Sequence, residues 1–184
     1  MTVDKGRERM GVTAEDEDRT LSSVTRGLLH DLANLATALD GITAALKHDG
    51  AKAIGRAEED LRRTTDRVFA LHAQLRSLMP DHGGAEAIDP RVIATEVAAL
   101  LCWHTTRSCA LLFAPGPTTP ILGEPWRVRR HFLAACDSAA GASGDLTFAF
   151  RVEGTTVSAV RDDGFVFWSS PTLVAARLRE RTGG

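Results

Sequence analysis

Apolar side chains recur along the first half of the chain in alternating steps of three and four residues. The two rows are Leu21, Leu28, Leu35 and Ile42, and, four places later in each repeat, Thr25, Leu32, Leu39 and Leu46. This alternation is typical of a helix that packs in a coiled coil. It predicts one long amphipathic helix over about residues 20–47, ended by segment 48–50 with Gly50 as its C-terminal cap.

A second helix with the same period is predicted to start near Ala51 and to stop at Pro80. Its apolar row is Ile54, Ala57, Leu61, Thr64, Val68, Leu71, Leu75 and Leu78. Charged residues fill the outer face between these positions. Helices joined by so short a turn lie antiparallel, and a lone hairpin cannot bury both sides of its seams. A second copy would close a four-helix bundle, so the pattern predicts a homodimer.

The second half of the chain alternates predicted helices and strands. Helices are expected over about residues 91–105, 125–141 and 171–181, and extended segments over 110–113 and 121–122. Two strands with alternating apolar residues flank Gly154, and a turn follows at 162–164. The expected fold class is α+β: a helical hairpin followed by a small α/β sandwich, with helices over one antiparallel or mixed sheet. The predicted divisions are a flexible tail at 1–18, the hairpin at 19–80 and the α/β domain at 86–184.

Composition narrows the classes of partner. Twenty-two basic and twenty-four acidic side chains give a formal net charge of -2 over 184 residues, which predicts no general attraction to nucleic acid or an anionic membrane. No signal peptide or membrane span is apparent in the sequence, so a cytoplasmic protein is expected. Cys102, Cys109 and Cys136 are predicted to be buried free thiols. Their spacing, even with His104, does not fit a zinc site.

The first helix carries a histidine outside its apolar rows. His30 lies two residues after Leu28 and two before Leu32, which turns it roughly 180° away from the seam and towards water. Asn34 is one turn further along, and Asp31 lies on the flank of the same face. The alternative is an ordinary solvated helix face that includes a histidine, and the spacing leaves both interpretations open.

These residues resemble a known family. A helical hairpin with His-Asp-x-x-Asn on its first helix, followed by the module above, resembles the dimerisation and histidine-phosphotransfer region plus GHKL-type ATPase domain of sensor histidine kinases. The resemblance extends from about residue 20 to 184. Gly27, Ala33 and Thr37 surround His30 and leave the surface open for a partner's backbone, so they are candidates for docking a receiver domain.

The second half departs from the family at the positions that bind nucleotide. Ala134 and Ser138 occupy the places where the family has two asparagines, one of which helps to hold Mg²⁺. Asp162 matches the adenine-contacting aspartate, but Val166 replaces the second glycine of that loop. Segment 169–177 resembles the helix after the phosphate loop without its glycines. Because phosphoryl transfer from ATP depends on these parts, neither ATP binding nor kinase activity is expected.

The resemblance therefore implies a histidine phosphotransferase related to a degenerate kinase. His30 would carry a phosphoryl group between receiver domains of response regulators, one of them charged by an upstream kinase. Asp31 would act on the other ring nitrogen, and Asn34 resembles the residue that orients water in family members with phosphatase activity. No cofactor of its own is expected, since the receiver would supply Mg²⁺. The alternatives are a non-catalytic dimeric adaptor or pseudokinase, and a divergent active kinase or phosphatase.

A basic cluster on the predicted helix at 125–141 has two interpretations. It consists of Arg127, Arg129, Arg130 and His131. It either solvates a helix face or helps to dock an acidic receiver.

Overall fold

The computed structural model describes residues 12–80, 83–104, 108–111, 119–140 and 145–182, with the side chains of 102–104, 108–111 and 178–182 outside that description. The helices are α1 (Ala14–Asp49), α2 (Ile54–Leu78), α3 (Pro90–His104), α4 (Pro125–Ala140) and α5 (Leu173–Thr182), and Gly50–Ala53 is a 3₁₀ turn. The strands are β1 (Glu86–Ile88), β2 (Ser108–Leu111), β3 (Ile121–Gly123), β4 (Asp145–Glu153), β5 (Thr156–Arg161) and β6 (Val166–Pro171). The predicted α+β class, with a helical hairpin first, is confirmed.

Helix α1 begins at Ala14, earlier than the sequence pattern predicted. Thr13 caps it: the Asp16 backbone N–H donates to Thr13 Oγ1 at 3.2 Å, and Asp16 Oδ2 accepts from the Thr13 N–H at 3.1 Å. This reciprocal capping box starts a helix before any apolar period is visible. The tail predicted over 1–18 is thus wrong for residues 14–18, while 1–11 lie outside the described residues.

The connection between the two hairpin helices is a few residues longer than predicted. Gly50 caps α1 as predicted, with a φ of 52° that favours glycine. The 3₁₀ turn follows it, so α2 begins at Ile54 and not near Ala51.

Only some of the predicted apolar positions lie between α1 and α2. Ala57, Thr64, Leu71 and Leu78 of α2 are buried, as are Val24 and Leu28 of α1, and Leu35 and Ile42 are half-buried. A second set stays exposed: Leu32, Leu39 and Leu46 on α1, and Ile54, Leu61, Val68 and Leu75 on α2. On both helices each exposed apolar residue lies three positions before a residue of the inward row, as Leu32 does before Leu35 and Leu61 before Thr64. Because the helices are antiparallel, this equal offset puts both exposed rows on one face of the hairpin.

The main sheet is mixed, and it contains a strand that the sequence pattern did not predict. Its strand order is β2-β4-β5-β6, with β2 parallel to β4 and the other pairs antiparallel, while β1 and β3 form a separate antiparallel pair. β6 pairs Trp168 with Ala159 and Ser170 with Val157. The last helix therefore begins at Leu173, and segment 169–171, which was assigned to that helix, is extended. The turn with Gly164 at φ 86° makes the reversal.

One hydrophobic core joins the hairpin to the second half of the chain. Phe132 on α4 lies at its centre, with its ring 5.7 Å from Phe148 and 5.2 Å from Trp168. The same core continues to Val24 on α1 and to Leu71 on α2. The start of α1 and the end of α2 are therefore packed against α3 and α4, and the turn end of the hairpin projects from this core.

The basic cluster of α4 is paired with acidic side chains of this chain. The ion pairs are Arg127 with Glu124, Arg129 with Glu96, Arg130 with Asp18, and His131 with Glu17. Two of these acids lie on α1 and one on α3. The cluster thus ties α1 and α3 to α4, while Arg127 is 70% exposed and stays on the solvated face. The role of the cluster in docking a receiver stays a prediction.

Candidate functional site

His30 lies on the solvent side of α1, where the heptad pattern predicted it. Its side chain is 74% exposed. The apolar rows on either side of it turn towards α2 or towards the exposed face of the hairpin. No packing contact therefore accounts for a histidine at this position.

Two polar neighbours approach the same ring nitrogen of His30. The amide nitrogen of Asn34 is 3.2 Å from Nδ1, and the carboxylate oxygen Oδ1 of Asp31 is 3.8 Å from it. Among the described residues, Nε2 has no hydrogen-bond partner. The three residues predicted from the sequence are therefore brought together, with Nε2 as the nitrogen open to a reactant.

An arginine that the sequence analysis missed also belongs to this group. Arg67 Nη2 of α2 donates to Asp31 Oδ2 at 2.6 Å. The side chain of Asp31 is 21% exposed and that of Arg67 is 34% exposed, so the pair lies at the edge of the seam between the helices. The sequence did contain a signal for this contact. Arg67 lies four residues before Leu71, on the flank of the row that packs against α1.

The three predicted docking residues lie on α1 near His30, and no hydrogen bond joins their described side chains to its ring. Ala33 and Thr37 are exposed, and Gly27 is half-buried. The hydroxyl of Thr37 donates to the backbone oxygen of Ala33 at 3.1 Å, so it satisfies its own helix. Their role in docking stays a prediction.

A groove between α1 and α2, towards the turn of the hairpin, was not predicted. Its volume is about 630 Å³. Small residues of α1 form one wall, with Ala38, Gly41 and Ala45 spaced by three and four, and charged residues such as Arg56 and Arg63 line the other. A Cβ placed on Gly41 would meet nothing within 4 Å, so the groove is open there. Since Gly41 is seven residues after Asn34, the groove opens on the same side of α1 as that amide.

The positions at which the sequence departs from the family's nucleotide-binding motifs lie in different environments. Ala134 is buried, with 1% of its surface exposed, and Ser138 is exposed one turn later. Asp162 lies on the exposed turn, where its Oδ1 accepts from the Asp163 N–H at 3.0 Å.

The nearby cavity, of about 460 Å³, is partly closed by the start of α1. Thr13 and Asp16 line it together with Ser138, Arg161 and Phe165. Beside it, hydrogen bonds from the Arg161 guanidinium lower the pKa of Asp163 to about 2, and the Phe165 N–H acts in the same direction. The polar groups of this turn are therefore used to hold its own conformation.

The structure tests only some of the remaining sequence predictions, which concern the cysteines, a metal site and a membrane span. Cys136 is a buried free thiol, as predicted, whereas the side chains of Cys102, Cys109 and His104 lie outside the described set. Within the described residues, no three His, Cys, Asp or Glu side chains cluster closely enough to hold a metal ion. None of the helices in the described parts of the chain has the length and apolar character needed to cross a membrane.

Comparison with solved structures gives a weak structural similarity to a histidine kinase. No family model matches the chain, and no curated protein matches it. Among solved structures, the histidine kinase AdeS of Acinetobacter baumannii superposes with a TM-score of 0.34 and 16% identity, over 72% of this chain and 71% of that one.

Proposed function

We propose that this chain is a histidine phosphotransferase that relays a phosphoryl group between receiver aspartates through His30, without binding ATP. The observation that carries the proposal is the exposed imidazole of His30, with both polar neighbours on Nδ1 and none of the described residues on Nε2. An imidazole so arranged is a nucleophile with one nitrogen free, which is the group such a relay requires.

The two ring nitrogens of His30 have different roles in the transfer. The lone pair of Nε2 attacks phosphorus, the bond between phosphorus and the receiver's aspartate oxygen breaks, and its electron pair leaves with that carboxylate. The ring becomes a phosphoimidazolium that keeps its proton on Nδ1. The carboxylate of Asp31 stabilises that positive charge. The receiver's own acidic pocket supplies the Mg²⁺, and the reverse steps pass the group to the next receiver.

A second copy of the chain is the proposed partner for the exposed face of the hairpin. The apolar rows on that face are exposed by between 36% at Leu46 and 56% at Ile54, and they extend over the second half of α1 and nearly the whole length of α2. Such a continuous apolar face is unfavourable in water, and an identical hairpin with the same seven-residue spacing is complementary to it. His30 points away from this face, so a dimer leaves the ring open.

The groove beyond His30 is the proposed docking surface for the receiver. It offers small residues on α1 and both signs of charge on α2, which suits a helix with small apolar side chains and charged flanks. It lies on the same side of α1 as Asn34. A receiver held there and over Gly27, Ala33 and Thr37 would bring its aspartate towards Nε2 of His30.

The direct test is to mix the full-length protein with receivers carrying radiolabelled aspartyl phosphate and to look for acid-labile, alkali-stable label on this chain. His30→Ala is expected to remove the label. His48→Ala is the matched control, because His48 is also exposed on α1 and has Asp49 3.0 Å from its Nδ1. This control should keep the label at the wild-type level.

Other outcomes distinguish the alternatives. Receiver binding in calorimetry without any label, and unchanged by His30→Ala, would favour the adaptor. Label on His30 from ATP and Mg²⁺ alone would favour the divergent kinase. Either result contradicts the relay.

A further inference from the structure

We propose that Arg67, on the opposite helix of the hairpin, is a positioning residue that fixes the ring proton of His30 through Asp31. The inference rests on the proposed function for its importance, but its geometry is independent of any partner. Arg67 does not reach the imidazole in this arrangement. It acts on the carboxylate that does.

The carboxylate of Asp31 joins the two residues through different oxygens. Oδ2 accepts from Arg67 Nη2 at 2.6 Å, and Oδ1 lies 3.8 Å from Nδ1 of His30, beyond hydrogen-bond length but close enough for its negative charge to act on the ring. An ion pair across two helices holds the carboxylate more firmly than the exposed histidine could, because both partners are largely covered by the seam. The orientation of Asp31 is therefore fixed by the packing of the hairpin.

The carboxylate of Asp31 favours a proton on Nδ1, whereas the second neighbour of that nitrogen favours a lone pair there. The orientation of Asp31 therefore matters. The Asn34 amide nitrogen at 3.2 Å favours a lone pair on Nδ1, which would put the proton on Nε2 and block its attack. An amide can turn over and present its oxygen instead, whereas a carboxylate can only accept. The carboxylate therefore decides the competition, provided that it stays in place. It selects the tautomer with the proton on Nδ1 and the lone pair on Nε2.

Without Arg67 the carboxylate loses the ion pair to Oδ2 that connects it to α2. A shift of Asp31 towards water would leave Asn34 as the dominant neighbour of Nδ1. The neutral ring would then move towards the tautomer with the proton on Nε2. Lysine at position 67 keeps a charged donor for Oδ2, the oxygen that Arg67 Nη2 contacts, and should preserve most of the effect.

The test is ¹⁵N NMR of the histidine rings in the full chain, which reports the tautomer of the neutral imidazole without any phosphoryl transfer. Arg67→Gln and Asp31→Asn should shift His30 to the same extent towards the tautomer protonated on Nε2. The double variant should shift it no further than Asp31→Asn alone. Arg67→Lys should remain close to wild type. Arg62→Gln, which removes an exposed arginine bound to Glu59 on the same helix and outside the groove wall, should change nothing.

Transfer kinetics provide the second reading. Arg67→Gln should slow transfer to His30 about tenfold, less than the roughly 10²–10⁴-fold that a general acid–base group itself contributes, because Arg67 acts only through Asp31. In the double variant the rate should match that of Asp31→Asn within about twofold, because the two residues act as one unit.

The outcomes separate this inference from the proposed function. A folded Arg67→Gln chain with a wild-type tautomer at His30 overturns the inference, whatever the transfer assay gives. If the wild-type chain is never labelled, the proposed function is overturned, and the inference about Arg67 then depends on the NMR result alone. If Arg67→Gln does not fold, Arg67→Met keeps the aliphatic stem in the seam and makes the same prediction for the tautomer.

Discussion

The hydroxyl of Thr20 on α1 donates to Oδ2 of Asp137 on α4 at 2.9 Å, across 117 positions of sequence. Thr20 is buried, with 3% of its surface exposed. The bond lies in the region where the hairpin enters the common core, near Val24. It therefore fixes the helix that carries His30 to the second half of the chain.

Replacing Thr20 with valine should destabilise the protein by about 1.5–3 kcal/mol, since valine keeps the shape and removes a hydrogen bond to a charged acceptor. Chemical denaturation followed by circular dichroism measures the change. Thr95→Val is the control, because Thr95 is exposed and its hydroxyl bonds only to the backbone of Arg91 in its own turn. The control should stay within about 0.5 kcal/mol of wild type. Equal losses in both variants would contradict a special role for the bond to Asp137.

The proposed dimer can be tested with two identical substitutions. Val68 is 40% exposed in the apolar row of α2, and Val174 is 68% exposed on α5, away from the hairpin. Val68→Glu should convert a dimer to a monomer in analytical ultracentrifugation at micromolar concentration, because it puts a charge into the buried seam of the bundle. Val174→Glu should remain dimeric. A monomeric wild-type protein would remove this part of the proposal.

The groove can be filled without disturbing the fold. A Cβ at Gly41 meets nothing within 4 Å, so Gly41→Leu should fold well and gain up to about 1 kcal/mol of stability from helix propensity. It should weaken receiver binding about tenfold or more in calorimetry, because the new side chain occupies the groove.

Gly55→Leu is the matched control for this experiment. Gly55 is equally open, and it is not part of the groove wall formed by the described residues. Receiver binding should therefore be unchanged. If both leucine variants bind as wild type does, the receiver does not use this groove.

Acid should weaken the turn that joins β5 to β6. Hydrogen bonds from Arg161 lower the pKa of Asp163 to about 2, from an ordinary value of 3.8. A lowered pKa in the folded state means that the carboxylate stabilises the fold above the unfolded pKa, and that this contribution disappears as the pH falls from about 4 to about 2. Asp163→Asn should therefore be less stable than wild type at pH 7. The difference should vanish near pH 2 in parallel thermal melts, and a difference independent of pH would contradict the ion pair.

Local patterns in the sequence predicted most of the helices and the exposure of His30. The seven-residue period of Leu28 and Leu35 fixes which side of α1 is apolar, and His30 is outside that side whatever α1 packs against. Gly50 could be predicted because a glycine after an apolar period is the common end of a helix. Strand β6 could not be predicted in the same way. Phe167 and Trp168 are adjacent and both buried, so they lack the alternation that marks a strand.

The sequence by itself determined the two amphipathic helices, the outward direction of His30 and the proximity of Asp31 and Asn34, because these depend only on the pitch of one helix. Tertiary structure decided which of the apolar rows faces α2 and which stays exposed. It also paired Arg67 with Asp31 and joined Thr20 to Asp137. These contacts connect segments far apart in the chain, and their partners depend on how the helices pack and not on any local period.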